Sequence, residues 1–223
     1  MTAARSSLGR RIVVLRHGET THNAAGIWQG QLDSPLSELG LRQADAVGAA
    51  VAALRPDRVV SSDLTRALTT AESVGRVCGI PVEPDPRFRE VHAGSWQGLS
   101  SAEVAQRWPD ERAAILRGED VRRGGDSGDG ERMADVLVRV GEALDELLAD
   151  ARPGECLVVS THGGAAKAAV AYLLRLDLQM AWRVLAGLGN CHWGELHEGG
   201  VGWRLQTWNV GPVDAPGAAS SPP

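Results

Sequence analysis

Apolar residues in this chain recur with two periods, and their alternation outlines the fold. Ile12-Val13-Val14-Leu15 is a run of four apolar β-formers, which reads as a short strand buried on both faces. Arg58–Ser62 and Cys156–Thr161 are runs of the same kind, and Pro81-Val82-Glu83 predicts a short edge strand. Between them the period lengthens. Ser37 starts a helix with Leu41, Ala44, Val47, Val51 and Leu54 on one face, and Pro56 ends it. A second helix starts at Asp63 as its N-cap and stops at Gly79. Ser100 and Glu103 form a capping-box pattern, with another helical turn after Pro109. Met133, Val136, Leu137, Val140, Leu144 and Leu147 trace one face of a further helix, and a last helical segment covers Gly163 to about Ala186. Two aromatic-bearing strands, Cys191 to His197 and Val201 to Trp208, form a hairpin through Gly199-Gly200.

Strands alternating with helices predict an α/β fold: a single mixed, mostly parallel sheet with helices on both faces. One domain is expected over 11–210, with a flexible leader at 1–10 and a disordered tail of Gly, Pro, Ala and Ser at 211–223. Thr20 to Leu36 is read as a long loop. The glycine-rich, charged stretch from Arg117 to Arg132 has no periodicity and is expected to be a mobile loop near the mouth of a site.

Composition narrows the partners. The net charge of −5 offers no basic face for nucleic acid. No charged-then-apolar amino terminus and no apolar run of spanning length is seen, so a cytoplasmic protein away from membranes is expected. Three widely spaced cysteines, two of them (Cys78 and Cys156) in apolar runs, read as buried thiols rather than disulfides. Lys167 is the single lysine. Most of the seven tryptophans are expected in the core, Trp28 and Trp96 beside a pocket, and the aromatic hairpin offers a surface for a homodimer.

The chemistry lies where strands end. The first run stops at Arg16-His17-Gly18, and the Cys156–Thr161 run stops at His162-Gly163-Gly164. In open α/β sheets that rim is where ligands bind. Arg66 falls in the first turn of the helix behind the Arg58–Ser62 strand. If these strands are parallel neighbours, Arg16, His17, Arg66 and His162 converge beside a helix N-terminus, a pocket for a phosphoryl group. His22, His192 and His197 read as structural or exposed, and His92 lies close to Glu90 in sequence.

Arg16-His17-Gly18-Glu19-Thr20 with Asn23, Ser61-Ser62-Asp63-Leu64-Thr65-Arg66-Ala67, Arg87-Phe88-Arg89-Glu90 and Thr161-His162-Gly163-Gly164 follow one another in an order that resembles the histidine phosphatase superfamily, the phosphoglycerate mutase-like proteins. The resemblance runs from about Arg11 to Asn209. Phosphoryl transfer needs a neutral nucleophile in line and charge neutralised on the non-bridging oxygens. Arg16 and Arg66 can bind those oxygens bidentately, His162, Asn23 and the Gly163 amide add donors, and Gln29 and Gly30 border the substrate. The resemblance implies His17 as nucleophile, a phosphohistidine intermediate, Glu90 as acid and then base, and neither metal nor cofactor.

Trp28-Gln29-Gly30-Gln31-Leu32-Asp33, Gly94-Ser95-Trp96-Gln97-Gly98, Gly187-Leu188-Gly189-Asn190-Cys191-His192-Trp193 and Trp203–Asn209 are similar to the actinobacterial glucosyl-3-phosphoglycerate phosphatase branch. The implied substrate is a small phosphomonoester of that kind. Cofactor-dependent mutases carry a tyrosine where Ala93 stands, and the lid region here lacks lysine, although Arg122-Arg123 resembles the mutase arginine pair. Asp129-Gly130-Glu131-Arg132 departs from the Gly-Gly-Glu-Ser element before the long helix. A phosphoglycerate-type phosphomutase, a metallohydrolase and an inactive phosphate-binding module therefore remain as alternatives.

Overall fold

A computed structural model describes residues 9–212. Residues 1–8 and 213–223, most of the expected leader and tail, lie outside the described residues. Arg10, at the end of the expected leader, is held by Glu198, with Nε to Oε2 at 2.7 Å and Nη2 to Oε1 at 2.5 Å.

The strands are β1 (Arg11–Arg16), β2 (Arg58–Ser61), β3 (Val82–Pro84), β4 (Cys156–Thr161), β5 (Trp193–Gly199) and β6 (Gly202–Val210), in the sheet order β3-β2-β4-β1-β5-β6. β3, β2, β4 and β1 run parallel, and β5 and β6 run antiparallel beside them. The sheet is mixed and mostly parallel, as the periodicity predicts. The helices are α1 (Thr21–Ala24), α2 (Glu38–Ala52), α3 (Thr65–Cys78), α4 (Ser101–Arg107), α5 (Pro109–Leu116), α6 (Met133–Asp150), α7 (Gly163–Leu174) and α8 (Leu178–Val184).

Period-two alternation in β1 and β4 divides the core between the two faces. Ile12, Val14, Leu157 and Val159 pack with Val136, Val140 and Leu144 of α6 and Ala166 and Val170 of α7. Val13, Leu15 and Val158 pack with Val47 and Val51 of α2 and Val74 of α3. Burial on both sides is why these strands read as unbroken apolar runs. It also fixes their ends, so that Arg16 and His162 leave the sheet at one rim.

Several local expectations change. The loop from Thr20 contains α1, closed by a capping box between Thr20 and Asn23. Asp63 does not cap α3; its carboxylate pairs bidentately with Arg89, with Oδ1 to Nε at 2.7 Å and Oδ2 to Nη2 at 2.5 Å. A two-point bond to a guanidinium outcompetes one to a neutral amide. Asp33 takes over instead, accepting from the Thr65 N–H and the Thr65 hydroxyl at 2.7 Å each. The last helical segment breaks in two at Arg175, which adopts φ +54, and Asp177 caps α8.

The 117–132 stretch is bonded to the segment after Glu90 and to the start of α6. Glu131 N–H donates to His92 O at 2.7 Å, Ser95 Oγ donates to Gly124 O at 2.5 Å, and Asp120 accepts from the amides of Met133 and Ala134 at the start of α6. Among the tryptophans only Trp96 and Trp193 are buried; the other five are half-buried. Cys156 and Cys191 are buried, Cys78 is half-buried, and none is in a disulfide. Among the described residues, no helix is long and apolar enough to cross a membrane.

Candidate active site

The rim of β1, β2 and β4 opens into a cavity of about 460 Å³ lined by Arg16, His17, Asn23, Gln29, Gly30, Arg66, Glu90 and Gly163, among others. Eight of the nine residues singled out from sequence therefore line one cavity. The ninth, His162, lies beneath it, 0% exposed.

His17 is 3% exposed, and its ring stands edge-on to that of His162 with centroids 5.0 Å apart. Its Nδ1 lies 2.7 Å from Gly18 O. A carbonyl can only accept, so Nδ1 carries the proton and Nε2 keeps its lone pair. Burial, then the Arg66 and Arg16 guanidiniums, push the His17 pKa well below the ordinary value, which keeps the ring neutral.

Arg66 is 1% exposed and is held at three points: Nη2 donates to Gly30 O at 2.7 Å, Nη1 to Leu32 O at 2.7 Å, and Nε to His162 Nδ1 at 3.2 Å. Burial lowers its pKa to about 10, so it remains a cation at neutral pH. Because His162 accepts at Nδ1, its proton sits on Nε2, 2.9 Å from Ser62 Oγ. Both nitrogens of His162 are engaged by the protein, and the ring orients Arg66.

Arg16 donates from Nη1 to Leu188 O at 2.5 Å, while its Nε–H is buried with no acceptor among the described residues. A Cβ at position 163 would stand 3.8 Å from Arg16 Nε and 4.0 Å from Glu90 Oε2, so the three groups surround one point. The N–H groups of a helix's first turn have no intrahelical partner. On α7, Gly164 and Ala165 give theirs to Glu90, at 2.9 Å and 3.2 Å, and Gly163's is left for a ligand. A buried guanidinium donor without an acceptor, beside a helix N-terminus, describes an anion site.

Glu90 also accepts from Val91 N–H at 2.9 Å. Three of roughly four lone-pair positions on its carboxylate are thus occupied by backbone N–H groups, which fixes its orientation at the cavity. Its backbone is fixed by a residue that sequence reasoning missed. Arg139 donates to the carbonyls of Arg87, Arg89 and Glu90 at 2.6, 2.7 and 2.9 Å, and pairs with Glu131 at 2.9 Å. A mid-helix arginine on α6 gives no sequence signal beyond its charge.

Asn23 Oδ1 accepts from Thr20 N–H at 3.1 Å and from Asn190 Nδ2 at 3.4 Å. Gln29 accepts from the Thr20 hydroxyl at 2.9 Å. Gly30 has φ +52, and a Cβ there would come within 2.9 Å of Ala93 N, so only glycine lets its carbonyl reach Arg66. His92 turns to Asp129 O and does not line the cavity. Arg123 is 6% exposed and bonded to Asp120 and Val121 O, and Arg122 pairs with Asp135; neither reaches the cavity as a mutase-like pair would. Lys167, Trp182 and His22 do line it, and were not foreseen there.

Comparison with known proteins agrees with this geometry. The sequence pattern of the histidine phosphatase superfamily (branch 1) matches residues 12–211, so the chain belongs to that superfamily. A glucosyl-3-phosphoglycerate phosphatase of Mycolicibacterium vanbaalenii is 40% identical over 218 residues, covering 90% of this chain and 95% of its relative. A metal-independent phosphoserine phosphatase of Arabidopsis thaliana is 37% identical over 203 residues, covering 89% of this chain and 80% of that protein. The solved structure of a mycobacterial glucosyl-3-phosphoglycerate phosphatase in complex with VO3 superposes with a TM-score of 0.81 at 40% identity, over 90% of this chain and 99% of the other. The chain is a phosphomonoester hydrolase of the histidine phosphatase type.

Proposed function

We propose that this chain hydrolyses a phosphoglycerate-type monoester, glucosyl-3-phosphoglycerate or a close relative, in two steps through His17. The observation that carries the mechanism is the 2.7 Å bond from His17 Nδ1 to Gly18 O, which aims an unprotonated Nε2 into a cationic cavity. In the first step Nε2 attacks phosphorus and the ester P–O bond breaks. The leaving oxygen takes a proton from Glu90. In the second, water attacks phosphorus, the P–N bond breaks, Glu90 takes the water's proton, and inorganic phosphate leaves. Arg16, Arg66, Asn23 and the Gly163 amide hold the three non-bridging oxygens as charge shifts among them. His162 acts through Arg66 as a positioning residue. The 40% identity to a glucosyl-3-phosphoglycerate phosphatase supports the substrate class.

The test is a rapid acid-free quench of enzyme with labelled substrate. Acid-labile, base-stable phosphate is expected on wild type at His17 and absent from a folded His17→Ala variant that has lost turnover. Label on another residue overturns the assignment of the nucleophile.

A further inference from the structure

Lys167 lies on α7 four residues beyond Gly163, so the two positions share one helix face. The axial separation is about 6 Å. A helical Cβ tilts toward the N-terminus, which sends the lysine stem back toward the phosphoryl pocket. Both residues line the same cavity, as do Gly164 and the Glu90 carboxylate that its amide holds.

Lys167 is half-buried yet makes no hydrogen bond or ion pair among the described residues. Its neighbour is the Trp182 ring of α8, whose centroid is 5.4 Å from Nζ. Burial alone lowers its pKa, with no nearby carboxylate working against the shift. A desolvated ammonium without a counter-ion, held over an aromatic face beside a cavity, is a receptor for an anion. The phosphoryl group is already met by Arg16, Arg66 and α7. The anion left over belongs to the leaving group.

We propose that Lys167 and Trp182 form a second anion subsite that recognises the carboxylate of the leaving group, selecting glycerate-type esters over neutral ones. The proposal rests on the phosphoglycerate reading above. An ester whose phosphorylated carbon is two bonds from a carboxylate carbon can set its phosphoryl group at Gly163 and its carboxylate farther along the same helix face. Binding also relieves the desolvation of Lys167 by supplying its missing counter-charge.

The experiment compares 3-phosphoglycerate with glycerol 3-phosphate, which replaces the carboxylate by a neutral hydroxymethyl group, on wild type, Lys167→Met and Lys167→Arg. Wild type is expected to prefer 3-phosphoglycerate in kcat/KM. Lys167→Met, which keeps the stem and loses the charge, should erase that preference by about 10-fold or more, the usual scale of a charge-assisted hydrogen bond. The loss should fall on KM, and Lys167→Arg should restore part of it. Equal losses on both esters would mean a structural role, and an unchanged preference would mean that the carboxylate binds elsewhere; either overturns the subsite. Wild-type turnover of glycerol 3-phosphate without any preference also overturns it while leaving the two-step hydrolysis standing. Absence of phosphohistidine with every ester would instead remove the reading of function beneath it.

Discussion

Gly164 lies so close to Glu90 that a Cβ at position 164 would stand 2.6 Å from Glu90 Oε1. The obstacle is the end of a flexible side chain, so the clash is relieved by moving the carboxylate rather than the helix. Alanine is also the better helix former. Gly164→Ala is therefore expected to keep or raise the melting temperature while lowering turnover of an alkyl phosphate by about 10-fold or more, part of what a general acid contributes. Thermal melts and steady-state rates on one preparation check both halves.

Glu90 itself separates by leaving group. A glycerate or sugar alkoxide needs a proton as it departs, whereas nitrophenolate leaves largely unaided. Glu90→Gln should slow phosphorylation of His17 by about 10²–10⁴-fold with an alkyl phosphate and far less with nitrophenyl phosphate. Burst kinetics isolate that step. Equal slowing with both substrates would assign Glu90 to positioning alone.

In the reaction proposed above, the charge on the transferring phosphoryl group is met by guanidinium groups of the chain. Activity should survive dialysis against EDTA, and orthovanadate should inhibit. Arg66→Ala should cost about 10²–10³-fold in turnover, as loss of a transition-state donor does, and weaken vanadate inhibition in parallel. Loss of activity in EDTA with recovery on adding a divalent ion would return the metallohydrolase reading.

His17 and His162 are both held neutral, with pKa values pushed well below the ordinary one by burial and by Arg66. In the unfolded chain each takes up a proton near pH ~6.5. Below that pH the unfolded state binds more protons than the native state, so stability is full above it and falls as the pH drops. Each site contributes a slope of up to about 1.4 kcal/mol per pH unit. Denaturant midpoints between pH 7 and pH 5 should decline, and His17→Gln should flatten the decline. An unchanged slope in that variant would refute a neutral buried His17.

Arg139 ties three backbone carbonyls and Glu131 together under the Glu90 loop. Arg139→Met leaves those acceptors without their donor and should destabilise the fold by about 2–4 kcal/mol, measured by urea denaturation.

What could be read in the sequence follows from how each residue is placed. Arg16, His17 and His162 sit at the ends of strands buried on both faces, so an apolar run marks the strand and its last residue marks the rim. Arg66 follows from the strand-to-helix turn behind β2. Their meeting requires β1, β4 and β2 to be adjacent, and that order is set by packing of the helices across two faces, beyond any local pattern. Asp63 misled because α3 starts at Thr65 with Leu64 in the cap position, one residue later than the sequence suggests, and Arg89, 26 residues away, binds the Asp63 carboxylate instead. His162 reads from sequence as a phosphate donor, whereas its two nitrogens are already engaged by Ser62 and Arg66. Lys167 carried a signal that periodicity passes over: a single lysine in an alanine-rich helix, spaced four residues from the glycine at the helix start. Trp182 carried none, because the break at Arg175 that turns α8 back over the cavity could not be seen in a continuous helical pattern.

That break divides the cavity's authorship. The inner side is made by strand ends and the first turns of α3 and α7. The outer wall comes from the segment around His22 to Trp28 and from Trp182 of α8, none of which belongs to a strand. Replacing Trp182 or Trp28 alters the shape offered to the alcohol half of the ester without shifting His17. Substitutions on that outer side should therefore change which esters are taken more than they change the rate at His17.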